Sequence, residues 1–246
     1  MKRGLVLSDL HEFARRSEGA ALFASMRDGL RSVDILVLNG DIFDFRWSCL
    51  RDLETTQAAA LDWLRDVSND FPECEIHYVM GNHDCLATFQ DGLATMAASQ
   101  PRFQWHEYSL RLGSAVFLHG DCAHATMGAA ALDRYRDIWR RDRQRGPLRA
   151  AAYACADRLG FTRLAHQWHF RRHQTVQRIG YYLDDAIPGW RHTTRDCYFG
   201  HTHLPFTGHE HEGVLFHNTG SAIRGMSFRP LFFEISALDE MPSSDT

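Results

Sequence analysis

Asp9 and His11, then Asp41, then Asn82 and His83, then His119, then His201 and His203 follow one another at the ends of five apolar runs. Each is a side chain that can bind a divalent cation or move a proton. Carboxylate, amide and imidazole without thiolate suit Mn, Fe, Zn, Co or Ni better than a cysteine zinc cage. Asp-x-His and His-x-His place alternate side chains on the same side of an extended backbone, so both members of each pair can face one cluster. Taken singly the motifs have ordinary readings. "SDLH" can be a turn, "GNHD" a helix cap for the segment near Leu86, "HGD" a turn and "GHTH" a hairpin edge. The ordered set, with a member at each strand end, is what points to a shared centre.

The runs that must carry these residues are short and β-like. They are GLVLSD (4–9), DILVLNGD (34–41), EIHYVMGN (75–82), SAVFLHGD (114–121), DCYFGHTH (196–203), GVLFHNTG (213–220) and PLFFEIS (230–236). Continuous apolar character predicts strands covered on both faces. Helical spacing fills the gaps, with Leu22, Met26 and Leu30 before the second run and Ala60, Leu61, Leu64 and Val67 before the third. The alternation predicts an α/β fold with a mixed sheet. In such folds ligand sites gather beyond the carboxyl ends of strands, so separated motifs can meet.

Residues 123 to about 194 break the rhythm and predict an inserted helical cap. Leu132, Tyr135 and Trp139 form one stripe; Phe161, Leu164, Ala165 and Trp168 form another, continued by Val176 and Ile179. The same stripes fit helices that merely extend the core. Residues 123–195 hold 14 Arg against 6 acidic residues in a chain of net charge −4. Arg134, Arg136, Arg140, Arg141, Arg143 and Arg145, with Trp139, Leu148, Tyr153, Phe161 and Trp168, suit a small or lipid-linked anionic substrate, or peripheral contact with anionic lipid. The acidic remainder disfavours broad nucleic-acid binding.

At 246 residues, 44% apolar and 24% charged, the composition is that of a globular protein of one domain over 1–246, with no membrane span. "MKRGLVL" is too short in its apolar part for a signal peptide, which predicts a cytoplasmic protein. The six cysteines form no Cys-x-x-Cys pair and are expected to be reduced.

The series SDLH, NGDIFD, GNHD, HGD and GHTH resembles the calcineurin-like metallophosphoesterase superfamily across about residues 1–122 and 196–236. The resemblance implies a four-layered sandwich of two mixed β-sheets flanked by helices, and hydrolysis of a phosphomonoester, phosphodiester or pyrophosphate bond at two divalent metals, Mn foremost and Mg included. Carried over motif by motif, Asp9, His11 and His203 would hold one ion, Asn82, His119 and His201 the other, and Asp41 would bridge them. In-line attack would come from a metal-bound hydroxide. His83 would assist the transition state or leaving group, and Asp84 would orient His83. The position of the insert resembles the UDP-2,3-diacylglucosamine pyrophosphatases. His83 stands where that branch has Arg, and "NTGS" (218–221) resembles the wider superfamily. A non-catalytic metal-binding scaffold, and within the enzymes a nuclease or nucleotide phosphodiesterase, are the competing expectations.

Overall fold

The computed structural model describes residues 1–146, 149 and 169–236. Two five-stranded sheets lie face to face. The first has the order β10-β1-β2-β3-β4, built from β1 (Lys2–Leu7), β2 (Ile35–Asn39), β3 (Glu75–Val79), β4 (Phe103–His106) and β10 (Leu231–Ile235). β1 to β4 run parallel and β10 closes the edge antiparallel to β1. The second has the order β5-β6-β7-β9-β8, from β5 (Ser109–Leu112), β6 (Ala115–Leu118), β7 (Asp196–Phe199), β8 (Phe206–His211) and β9 (Val214–Asn218). Here β6, β7 and β9 are parallel, with antiparallel edges. All seven runs expected as strands are strands. β4, β5 and β8 were not expected.

Period-two alternation divides each strand between two cores. Val6, Ile35, Val37, Val79, Phe117, Tyr198 and Phe233 meet between the sheets. Their neighbours Leu5, Leu7, Leu36, Leu38, Ile76 and Tyr78 point outward, beneath a layer of helices. That layer consists of α1 (Gly19–Ser25), α2 (Arg27–Leu30), α3 (Leu53–Asp70) and α4 (Ala87–Ser99). α3 starts where the Asp52 carboxylate accepts the Thr55 amide at 2.8 Å, an N-cap. It then buries Thr56, Ala60, Leu64 and Val67 at helical spacing.

On the far side, Val116, Leu118, Cys197, Phe199 and Phe216 pack beneath Leu132 of α5 (Ala129–Arg140), Val176, Ile179 and Leu183 of α6 (Arg172–Ala186) and Trp190 of α7 (Trp190–Thr193). The layers therefore run helix, sheet, sheet, helix. These described helices of the expected insert form the outer helical layer on the second sheet. Phe161, Leu164, Ala165, Trp168, Leu148 and Tyr153 lie outside the described residues, as does Cys155. The other five cysteines are free thiols, with Cys49 alone exposed among them.

Candidate metal centre

The loops after β1, β2, β3, β6 and β7 come together at one end of the sandwich. Backbone bonds lace them in pairs: Asp9 N to Gly40 O at 3.0 Å, His11 N to Asp41 O at 3.0 Å and Gly200 N to His119 O at 2.8 Å. The Asn39 side-chain amide crosses between the sheets, donating to Leu118 O at 3.0 Å and Tyr198 O at 3.1 Å. Two glycines are needed by proximity. A Cβ on Gly81 would overlap the Asp41 carboxylate, and one on Gly200 would overlap that of Asp9.

The backbone itself is unusual here. Asp9, His11, Asp41, His201 and His203 all have φ between 50° and 61°, the left-handed region, without being glycine. Each such residue costs on the order of 1–3 kcal/mol and persists only where the surroundings hold it. Five of the seven expected metal ligands are in this state, so the fold spends stability to aim these side chains inward.

What they meet is one another. Asp9 Oδ1 lies 3.1 Å from His203 Nε2, which lies 3.3 Å from His11 Nε2. His119 Nε2 lies 3.2 Å from Asn82 Oδ1 and 3.3 Å from Asp41 Oδ2, while Asp41 Oδ2 is 3.9 Å from His11 Nε2 on the other side. His201 joins His119 with ring centroids 5.2 Å apart, and its Nε2 is buried with no hydrogen-bond partner among the described residues. Two groupings, Asp9–His11–His203 and Asp41–His119–His201, each bring ligand atoms within 4.8 Å. Asp41 sits between them. All seven expected ligands are thus gathered, and a buried set so rich in lone pairs fits two divalent cations.

The charges show the same need. Burial raises the Asp9 carboxyl and neighbouring Asp41 raises it further, although His119 opposes. Burial works against a charged His119, but Asp41 and Asp9 outweigh it and push the imidazole up to about 10. His201 is driven well below its usual range by burial and by His119. Imidazoles must be neutral to ligate, so cations here would take the place of these protons.

His83 stands beside the groupings, its side chain 15% exposed. Its amide donates to Asp41 Oδ1 at 2.8 Å, and its Nδ1 lies 3.1 Å from Asp44 Oδ1. Burial lowers its pKa, yet Asp44 and Asp41 prevail and raise it. The partner of His83 is therefore not Asp84, as expected, but Asp44. Asp84 instead accepts from Ile42 N at 2.9 Å, Tyr78 Oη at 2.6 Å and Gly81 N at 2.7 Å, which ties the β2 and β3 loops together. Asp44 also meets His11 Nδ1 at 3.3 Å and Arg16 at 3.8 Å, so one carboxylate orients two imidazoles. The only sequence signal for it was the second aspartate of NGDIFD.

Trp139 from α5 leans over His83 at 5.0 Å between ring centroids, with the Arg46 guanidinium 4.0 Å from the other ring system. Of the arginines expected to face a substrate, Arg136 is 1% exposed and pairs with Asp121 at 2.8 and 2.9 Å, while also donating to Met80 O at 3.0 Å. Arg140 is held by Glu107 at 2.6 Å and Asp133 at 2.8 Å. These two brace α5 and do not offer free charge.

A family model, calcineurin-like phosphoesterase, matches residues 3–213. No curated protein matches the sequence. Among solved structures, similarity extends to the phosphopantetheinyl hydrolase of Mycobacterium tuberculosis, with 18% identity, 89% of each chain covered and TM-score 0.43. It extends also to a dimetal phosphatase from Danio rerio, with 11% identity, 96% of this chain and 99% of that one covered and TM-score 0.44. The E. coli phosphoesterase Yfce has 16% identity, 91% and 82% coverage and TM-score 0.38.

Proposed function

Because the chain belongs to the calcineurin-like phosphoesterases, and so to the metal-dependent phosphoric ester hydrolases, we propose that the gathered side chains are its active centre. Asp9, His11 and His203 would hold one cation and Asn82, His119 and His201 the other, with Asp41 shared between the two groupings. Manganese is the first candidate. The observation that supports this most is the convergence of seven ligand-type side chains from both sheets, five of them on left-handed backbone.

When bound, two such ions supply Lewis acidity to the ester and acidify a water molecule for in-line attack. The chain's own residues do the rest. Asp41 lies between the groupings and fixes their separation. Asp44 engages His83 Nδ1, which leaves Nε2 to face the ester. Asp44 and Asp41 favour the acid form of His83 against burial, and that form can stabilise negative charge on the phosphoryl oxygens or give its proton to the leaving oxygen. Trp139 shields one side of the imidazole from water. The substrate is a small or lipid-linked phosphate ester. Monoester, diester and pyrophosphate linkages all fit this chemistry.

The test is turnover of bis-p-nitrophenyl phosphate and p-nitrophenyl phosphate with added Mn²⁺, before and after Asp41→Asn. Metal-dependent hydrolysis should fall by about a hundredfold or more in the variant, the scale on which a lost charge-stabilising group acts. Equal rates in the two proteins would refute the assignment.

A further inference from the structure

Beside the metal centre lies a groove of about 430 Å³, within the range of small-ligand pockets. Its walls come from two segments, 47–53 and 144–146, together with Arg15. Trp47, Cys49, Leu50 and Leu53 give it an apolar part; Arg15, Arg51 and Arg145 give it charge. The walls are already joined: Gln144 Nε2 donates to Ser48 O at 3.1 Å and Leu50 O at 2.8 Å, and Arg145 N donates to Arg46 O at 2.8 Å.

The charge is not balanced locally. Arg51 pairs with Asp52 at 2.7 Å, and Asp142 is shared between Arg145 and Arg46. Of the three guanidiniums lining the groove, Arg51 and Arg145 have ion pairs, with Glu54 also acting on Arg51, and Arg15 is exposed and has none among the described residues. Arg15 and Arg16 also divide in direction, since Arg16 is buried against Asp44 while its neighbour opens onto the groove.

The groove shares a wall with the reacting end. Leu53 lines it and also lines the small cleft that holds Asn82, His83, Trp139 and Arg143. The loop from Asp44 to Cys49 spans both, with Trp47 N bonded to Asp44 Oδ1 at 3.0 Å and Cys49 N to Phe13 O at 2.8 Å. The groove and the metal centre thus lie on either side of one segment, 44–53.

We propose that this groove binds a second anionic group of the substrate, a phosphate borne some distance from the scissile bond, with a short apolar linker lying on Trp47, Leu50 and Leu53. Arginine suits this because its fork bonds two phosphate oxygens at once. The inference rests on the phosphoesterase reading of the adjacent centre.

The experiment compares two p-nitrophenyl alkyl phosphodiesters whose chains end in a phosphate or in a hydroxyl. With Mn²⁺-loaded wild-type protein, KM for the phosphate-ended ester should be about tenfold lower, the scale of a charge-assisted pair. In the Arg15→Gln, Arg145→Gln double variant the two KM values should come within about twofold of each other. Cys49→Phe fills the groove with all arginines intact and should erase the difference too, while Arg15→Lys should retain part of it. Equal KM values in the wild type, or a ratio that survives both variants, would overturn the proposal. If neither ester turns over, the phosphoesterase reading fails by itself. Calorimetric titration of metal-stripped protein with a phosphate-ended alkyl alcohol then decides the groove. Heat that is lost in Cys49→Phe supports it, and no heat in the wild type overturns it.

Discussion

Asp44 shows how a single carboxylate can set the chemistry of its neighbours. It is 0% exposed, holds His83 and His11 together, and is itself kept well below the usual carboxylate range by those imidazoles despite burial. Asp44→Asn should lower kcat by about ten- to a hundredfold, the usual effect of losing such an orienting partner. The pH profile gives the sign. His83 is raised by Asp44, so its acid form survives to higher pH in the wild type. Removing the carboxylate should move the alkaline limb of the rate profile to lower pH, and a limb that stays in place would show that His83 does not act as an acid. This residue was half legible in the sequence. NGDIFD brings its aspartate near the centre, but Asp84 was adjacent to His83 and looked the better partner. Adjacency along a chain says little about contact where the backbone turns sharply, and Asp84 turns back to cap Gly81 and Ile42.

The elements were legible where they are buried on both faces. β2 is buried at every position, and its apolar run gave it away. β4, β5 and β8 escaped because each buries only one residue, so none carries a continuous apolar run. Arg136 escaped for another reason. It sits in a row of arginines on α5, but its partner Asp121 is 15 positions away, a pairing no periodicity reveals. Arg136→Leu leaves Asp121 buried and unpaired, and urea unfolding should show a loss of about 3–5 kcal/mol. The double change with Asp121→Asn should recover much of that. On β3 and β4, His77 Nδ1 and His106 Nε2 are 3.2 Å apart. Burial, then His106, lowers the His77 pKa to about 4. The unfolded chain takes up this proton near its ordinary value of about 6.5, so the folded state binds it less tightly. Stability should fall as pH drops from about 6.5 toward 4, by at most about 3 kcal/mol from this residue, and level off below. Thermal unfolding of His77→Phe across that window should have a flatter slope than wild type; identical slopes would show that the pair is not the cause.

At the scale of the molecule, the two sheets meet twice, once through the apolar core and once through the polar loops above it. Removing cations should therefore be felt by the whole fold. Chelation should lower Tm, and Mn²⁺ at a hundred times its Kd should restore about 2.7 kcal/mol per site. For a chain of this length that is a rise of roughly 5–10 °C, and Asp41→Asn should blunt it. No helix among the described residues is long and apolar enough to cross a membrane. Continuous apolar runs marked strands covered on both faces, and the family resemblance implied the four layers; the groove beside the centre was not legible, since its walls come from segments nearly a hundred residues apart. The loops after β1 and β2 supply Asp9, His11 and Asp41, whereas His201 and His203 follow much later in the chain. A nascent chain leaving the ribosome thus carries Asp9, His11 and Asp41 well before the two histidines that join them. Metal capture should then wait for those two histidines, and stalled chains ending before residue 196 should retain far less ⁵⁴Mn on gel filtration than chains that include them.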